Sequence, residues 1–513
     1  MTGPKCYPLQ RAARVPRLES LVVATLVLFG YRTGLNGISD NSTFAHLRTG
    51  IEMTRHWSIP RADPYSFTAP HHPWVVQSWL ASAVYGAAYR LGGLHVVVFA
   101  DGLLAAAVAW VVARLARTGA FITTLVAAPL AVLVGAIYWA PRPLMFGLLC
   151  LGLLVTVVER RTTPRWLIPI TWVWVNTHGS FPLGAAWLLA RAAGEALDGR
   201  HWPRATARYT GWFLGALALA AANPLGPKLL AFPLAVRDKA SVFRNVVEWR
   251  SPDFQSPQGI ALLVLLGIGL IILIRTRVSW ADTLPVVGFL AAALFSVRNV
   301  APAAVVFAPV LGRAMRRAAP PPAEVGEIGT KADLPASKPG VPTDASRRPS
   351  LNAVIASLLV VVALIFTVGE RRAAPLDLRT YPTAAVAWMG THGYLDPTRH
   401  RVAEQDVIGD YLILLRGPAG KVFIDDRVDM YPVVVSDDYD TLLHGTVGSI
   451  AVLDRYRVDT VLWDDRLALP GLREALGGWR AVYPSLSSPS PKGDYWVVLA
   501  RDPMTPRIAS PPG

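Results

Sequence analysis

Seven near-continuous apolar runs constrain this chain more than any other feature. They cover residues 21–35, 118–139, 144–158, 209–222, 260–274, 284–297 and 351–368, and a charge, Arg32, interrupts only the first. About 20 mainly apolar residues cross a bilayer core, and roughly 17 suffice. The shorter runs must borrow flanking residues to reach that length. Charged residues make up 17% of the chain, against about 25% in soluble domains. The pattern predicts a mostly α, polytopic transmembrane helical bundle of about 11 spans. The first run also has the length of a signal-peptide core, with Gly37-Ile38-Ser39 as a cleavage site. Arg32 and the many later runs favour a retained helix.

The net charge of +15 does not imply nucleic acid, because the basic residues cluster beside hydrophobic ends. Only seven of the 50 basic residues are Lys, a composition that fits codon bias in a GC-rich bacterium. The two cysteines, Cys6 and Cys150, lie in the N-terminal tail and inside a span, a placement that predicts neither a disulfide nor a metal cluster.

Lys5, Arg11, Arg14 and Arg17 precede the first run, so the N-terminus is expected in the cytoplasm and the loop at 38–76 outside. Continued alternation places the stretches near Arg142, His178, 223–258 and Arg298 outside as well. Two apolar segments, 77–91 and 94–113, come before Arg114 and give one crossing too many for the charge rule. Residues 1–317 then form the membrane module. Residues 318–349, rich in Pro and small polar residues, read as a disordered cytoplasmic linker. A last transmembrane helix at 350–370 leads to an extracytoplasmic domain at 371–513. Short apolar runs at 422–424, 460–463 and 496–499 alternate there with helical patterns, which predicts a small α/β domain with a partly parallel sheet.

The first outside loop carries more than polar filler. Asp40-Asn41-Ser42 opens a helical pattern whose Phe44, Leu47 and Ile51 share one face, as in a helix lying in the membrane interface. Asp40 serves either as its cap or as a general base or metal ligand, with His46 and Arg48 as partners. Asp63, forced out of helical geometry by Pro64, is either a turn acid or a second carboxylate facing Asp40. Trp74 and Trp79 read as interface anchors.

Arg142, between two prolines, and Arg298 stand at outside membrane edges, where they either snorkel or hold a phosphate. His178 interrupts a Trp-rich span at Asn176-Thr177-His178-Gly179-Ser180. Lys228 follows the turn at 223–227, and Glu248 lies in a loop able to close over a substrate. Asp425-Asp426-Arg427-Val428-Asp429 ends a predicted strand, either as a structural turn or as a ligand site. No phosphate-binding glycine loop, nucleophile elbow or Cys/His cluster is present in the sequence.

Several of these stretches together resemble the GT-C class of membrane glycosyltransferases. They are 40–50 with 59–67, 74–80, Arg142-Pro143, 176–179, Asn223-Pro224, 248–254 and 423–431. The branch they look like is an uncharacterised bacterial one, related to protein mannosyltransferases and lipid A aminoarabinose transferases. The resemblance implies that Asp40 is the catalytic-type acid and that arginine holds a polyprenyl-phosphate carrier. Ser42 stands where the class often has a second acid, and Gln77-Ser78 where His-Glu is more usual. The need for a divalent metal ion is therefore open.

The expected function is transfer of a sugar from a polyprenyl-phosphate carrier to an envelope glycolipid, polysaccharide or protein at the outer face of a bacterial plasma membrane. A flippase for a lipid-linked sugar also suits interrupted spans, and a non-catalytic assembly scaffold suits the outer domain.

Overall fold

The computed structural model describes residues 16–199, 202–239, 247–276, 278–318, 349–467, 469, 478–484 and 495–502. The segment expected as a linker lies, apart from its ends, outside the described residues, as do Cys6 and the basic residues at 5–14.

Helices dominate the first part of the chain. They are α1 (Leu18–Gly34), α2 (Asn41–His56), α3 (Trp79–Leu115), α4 (Phe121–Ala136), α5 (Leu144–Glu159), α6 (Leu167–Thr177), α7 (Pro182–Gly199), α8 (Arg204–Ala220) and α9 (Lys228–Asp238). They continue as α10 (Pro257–Arg275), α11 (Trp280–Phe295), α12 (Val300–Ala318) and α13 (Pro349–Glu370).

Among the described residues, two helices are long and apolar enough to cross a membrane, Trp79–Leu115 and Leu351–Glu370. The expected count of about 11 is not met by this measure. The other apolar helices are short: α4, α5 and α11 have 16 residues each. At 1.5 Å per residue that is about 24 Å, less than the roughly 30 Å of a bilayer core.

The two apolar segments before Arg114 lie in one helix, α3. Helix α3 breaks at Gly92 and Gly93, and Gly93 has φ 72°, a left-handed value that favours glycine. The first limb packs along α2, where the Gly50 and Gly86 backbones approach so closely that a Cβ on Gly86 would lie 2.1 Å from the Gly50 carbonyl oxygen. The second limb packs Ala105, Val108 and Ala109 with Val22, Val23 and Leu26 of α1 in one core.

The apolar face of α2 meets protein, not lipid. Phe44 and Leu47 are fully buried, and the Phe44 ring lies 5.3 Å from Tyr381 and 6.3 Å from Tyr411. Trp74 and Trp79 are not interface anchors either. Trp74 is buried, and Trp79 Nε1 donates to Asn176 Oδ1 at 2.7 Å.

The C-terminal part adds α14 (Thr383–Thr391), β1 (Val402–Glu404), α15 (Asp406–Arg416), α16 (Val433–His444), α17 (Ser449–Arg455), β2 (Thr460–Asp464), β3 (Trp479–Tyr483) and β4 (Trp496–Arg501). The sheet order is β1-β2-β4-β3. β1 and β2 are parallel, and the other pairs are antiparallel. The mixed sheet and the strands at 460–463 and 496–499 agree with the sequence pattern.

The expected strand at 422–424 does not form. Its backbone instead bonds to the first loop, with Val422 N donating to Tyr65 O and Phe67 N to Val422 O, both at 3.0 Å. The Phe423 amide donates to the buried Glu404 carboxylate at 2.6 Å. These bonds satisfy buried amides that a sheet would otherwise take. The loop and the C-terminal part thus share one hydrophobic core, which contains Ile38, Tyr65, Trp74, Phe423 and Tyr431.

A side chain at Gly86 would enter the Gly50 backbone. Gly86→Val should destabilise the protein by about 3 kcal/mol or more, read as a lowered melting temperature of the full chain in detergent.

Candidate functional site

Asp40 stands at the N-cap position of α2 in extended backbone (φ −78°, ψ 120°), yet its side chain makes no capping hydrogen bond. It turns instead towards Arg142, whose Nε lies 3.7 Å from Asp40 Oδ2. Arg142 sits in the turn between α4 and α5. The Thr43 hydroxyl donates to the Pro141 carbonyl and ties that turn to α2. The other side of the Arg142 guanidinium donates to Glu248, on a 3-10 turn at Val247–Trp249. Ser296 Oγ donates to the Glu248 carbonyl at 2.9 Å, which sets the next turn, Val297–Asn299, beside it. Arg298 lies there with its guanidinium carbon 4.4 Å from the Trp249 ring centre. Among the described residues no hydrogen bond or ion pair is formed by the Arg298 side chain.

These turns surround one cavity. Its walls carry Arg142, Arg298, Glu248, His46, His178 and, from the C-terminal part, the segment Asp426-Arg427-Val428-Asp429. Burial raises the Asp40 carboxyl above the ordinary carboxylate range, against the pull of Arg142. Burial pushes Asp429 up to about 6 and, helped by Arg427, lowers His46 to about 4. His46 Nδ1 lies 3.0 Å from Ser82 Oγ. His178 accepts the Ser180 amide at Nδ1, at 3.2 Å, which assigns its proton to Nε2.

The structure thus brings Arg142, Glu248, Arg298, His46 and His178 around one space, and Asp40 reaches it only through Arg142. Asp63 and Lys228 stay outside it as well. Asp63 is buried and takes hydrogen bonds from Tyr65 N at 3.0 Å and Ser66 N at 2.9 Å. It also pairs with Arg427 Nη2 at 2.8 Å. Pro64 turns the chain so that this carboxylate closes its own loop rather than facing Asp40. Lys228 is exposed and does not line the cavity, because Asn223 closes the preceding turn on Leu225 N at 2.8 Å.

Sequence reasoning left the acids at 425–429 open between a turn and a ligand site, and it missed Lys239. Asp426 and Asp429 reach the cavity because residues 422–424 pair with the first loop. Lys239 Nζ donates to the carbonyls of Asp429 and Tyr431, at 2.6 and 2.7 Å, and nothing in its sequence context marks it. Among the described residues no three His, Cys, Asp or Glu side chains converge to hold a metal ion.

No protein-family model matches the chain, and no curated protein matches it. Among solved structures it is similar to the crystal structure of the Archaeoglobus fulgidus oligosaccharyltransferase in the apo form. The TM-score is 0.50 at 13% identity, over 89% of this chain and 70% of that chain. The fold is oligosaccharyltransferase-like. At the coarse level this agrees with the GT-C resemblance, and helices followed by a small C-terminal sheet match the expected fold class.

Breaking a buried ion pair by removing one partner costs about 3–5 kcal/mol. Asp63→Ala should lose that stability, read as a lowered melting temperature of the full chain in detergent. His46 follows a different rule. Its folded pKa, about 4, lies below the ordinary 6.5, so the unfolded chain binds the proton first as pH falls. Stability should therefore drop from pH 6.5 towards about 4, and His46→Gln should flatten that part of a melting-temperature profile.

Proposed function

We propose that this chain is an integral membrane glycosyltransferase. It moves a sugar from a polyprenyl-phosphate carrier to an envelope acceptor at the outer face of the membrane, with the N-terminus in the cytoplasm and the C-terminal domain outside. The observation that carries the reading is Arg298: a guanidinium braced on Trp249, facing a cavity that also holds Arg142 and several carboxylates. A planar fork with free donors suits phosphate. The fold likeness to an oligosaccharyltransferase supports the reaction class. The exposed apolar side chains of α10 and α13, among them Leu263, Leu270, Ile271, Leu358, Val360 and Leu364, support a lipid setting.

In the reaction the acceptor oxygen attacks the anomeric carbon and the bond to the phosphate oxygen breaks. The phosphate leaves with the electron pair, and Arg298 and Arg142 face the charge it gains. A carboxylate of the cavity takes the acceptor proton. His46, neutral at pH 7, donates to or accepts from the bound sugar.

The test is transfer by the purified full chain in liposomes from labelled polyprenyl-phosphate sugars to envelope extract. Removing one preorganised donor costs about 10²–10³-fold in rate. Arg298→Ala should lose that much in kcat/KM, and Arg298→Lys should recover part of it. Undiminished transfer by Arg298→Ala, or none by the unaltered protein from any such carrier, overturns the proposal.

A further inference from the structure

Two carboxylates share one arginine at the edge of the cavity. Asp40 and Glu248 both lean on Arg142. Asp40 is not among the residues that line the cavity, and the Glu248 carboxylate accepts from Arg142. Asp426 lines the same cavity, and among the described residues its side chain has no hydrogen-bond or ion-pair partner. Its place relative to Asp40 is built in. The Asp426 amide donates to Asp410 Oδ2 at 3.2 Å, and Asn41 Nδ2, next to Asp40, donates to the same oxygen at 3.0 Å. Asp410 is fully buried, so this bridge locks the C-terminal part to the start of α2. Asp429 lines the cavity too, but its charged neighbours are Lys239, Arg427 and Asp425. The charges that act on Asp426 are those of Asp406, Asp40, Glu248 and Arg142, and it acts in turn on Asp410 and Arg298.

Resting on the glycosyl-transfer reading, we propose that the C-terminal domain supplies the base: Asp426 takes the acceptor proton, while Asp40 holds Arg142 for the departing phosphate. The acceptor O–H bond breaks and its proton goes to the Asp426 carboxylate. The oxygen pair forms the bond to the anomeric carbon. The carbon–phosphate oxygen bond breaks, its electrons leave with the phosphate, and Asp426 returns its proton to water. Burial first, then Asp406, Asp40 and Glu248, raise the Asp426 carboxyl well above the ordinary range, towards the basicity that a proton acceptor needs. Asp410 and Asn41 are positioning residues that act through Asp426. The acceptor therefore enters from the side of the C-terminal domain.

The experiment is the liposome assay on the full chain, with pH–rate profiles of Asp426→Asn and Asp40→Asn and melting curves to show that both are folded. Asp426→Asn should lose about 10²–10⁴-fold in kcat with an unchanged donor KM, and its residual rate should lack the limb that rises with pH. Asp426→Glu should recover part of kcat. Asp40→Asn should raise the donor KM and keep the rising limb. The reverse pattern, or loss of the limb in both variants, overturns the assignment while leaving glycosyl transfer standing. Absence of transfer by the unaltered protein removes both.

Discussion

The buried Arg427 guanidinium is the interaction on which the rest depends. It donates to Asp425 through Nε and Nη2, both at 2.7 Å, and pairs with Asp63 at 2.8 Å. Its guanidinium carbon lies 4.9 Å from the Tyr65 ring centre and 4.5 Å from that of Trp74. Taking such a charge out of water is costly unless the surroundings replace its partners. Here two carboxylates and two aromatic faces do so, and they come from segments more than 350 positions apart in the chain. Tyr431 adds a hydrogen bond to Asp425 at 2.6 Å, so the acids are held as well. The consequence is geometric. Once Arg427 is seated, its neighbours Asp426 and Asp429 have to face the cavity.

A second charged cluster joins other helix ends. Arg313 pairs with Glu159 at 2.6 Å and donates to Asp282 at 3.1 Å. Arg191 also pairs with Glu159, and Arg117 donates to Glu19 at 2.8 Å. These residues come from the ends that the charge rule assigned to the cytoplasm, whereas Asp40, Arg142, Glu248 and Arg298 come from the ends it assigned outside. Each cluster ties several helices whose contacts are otherwise apolar. Apolar packing alone specifies helix register weakly, and shared charges restrict it.

The recurring pattern of apolar runs made the helical bundle legible, because period and length survive any tertiary arrangement. Asp40, Arg142 and Arg298 were legible for a related reason: each is a charge next to a run that cannot solvate it. His178 was visible as a polar break in a Trp-rich helix. Asp63 misled, because an acid before proline looks the same whether it closes its own turn or faces a substrate. The stretch at 422–424 misled too. A short β-branched and aromatic run promises an edge to pair with, but not which edge.

What the sequence alone determined was the class of fold and the set of charges at its helix ends, since both follow from local periodicity and from the cost of burying charge in apolar surroundings. The tertiary structure decided which charges meet. It paired residues 422–424 with the first loop, consumed Asp63 in seating Arg427, left Lys228 in the open and tied Asp426 to the start of α2 through Asp410. The reason is that these contacts join segments hundreds of residues apart, and the complementarity of their buried hydrogen bonds exists only when both are in place.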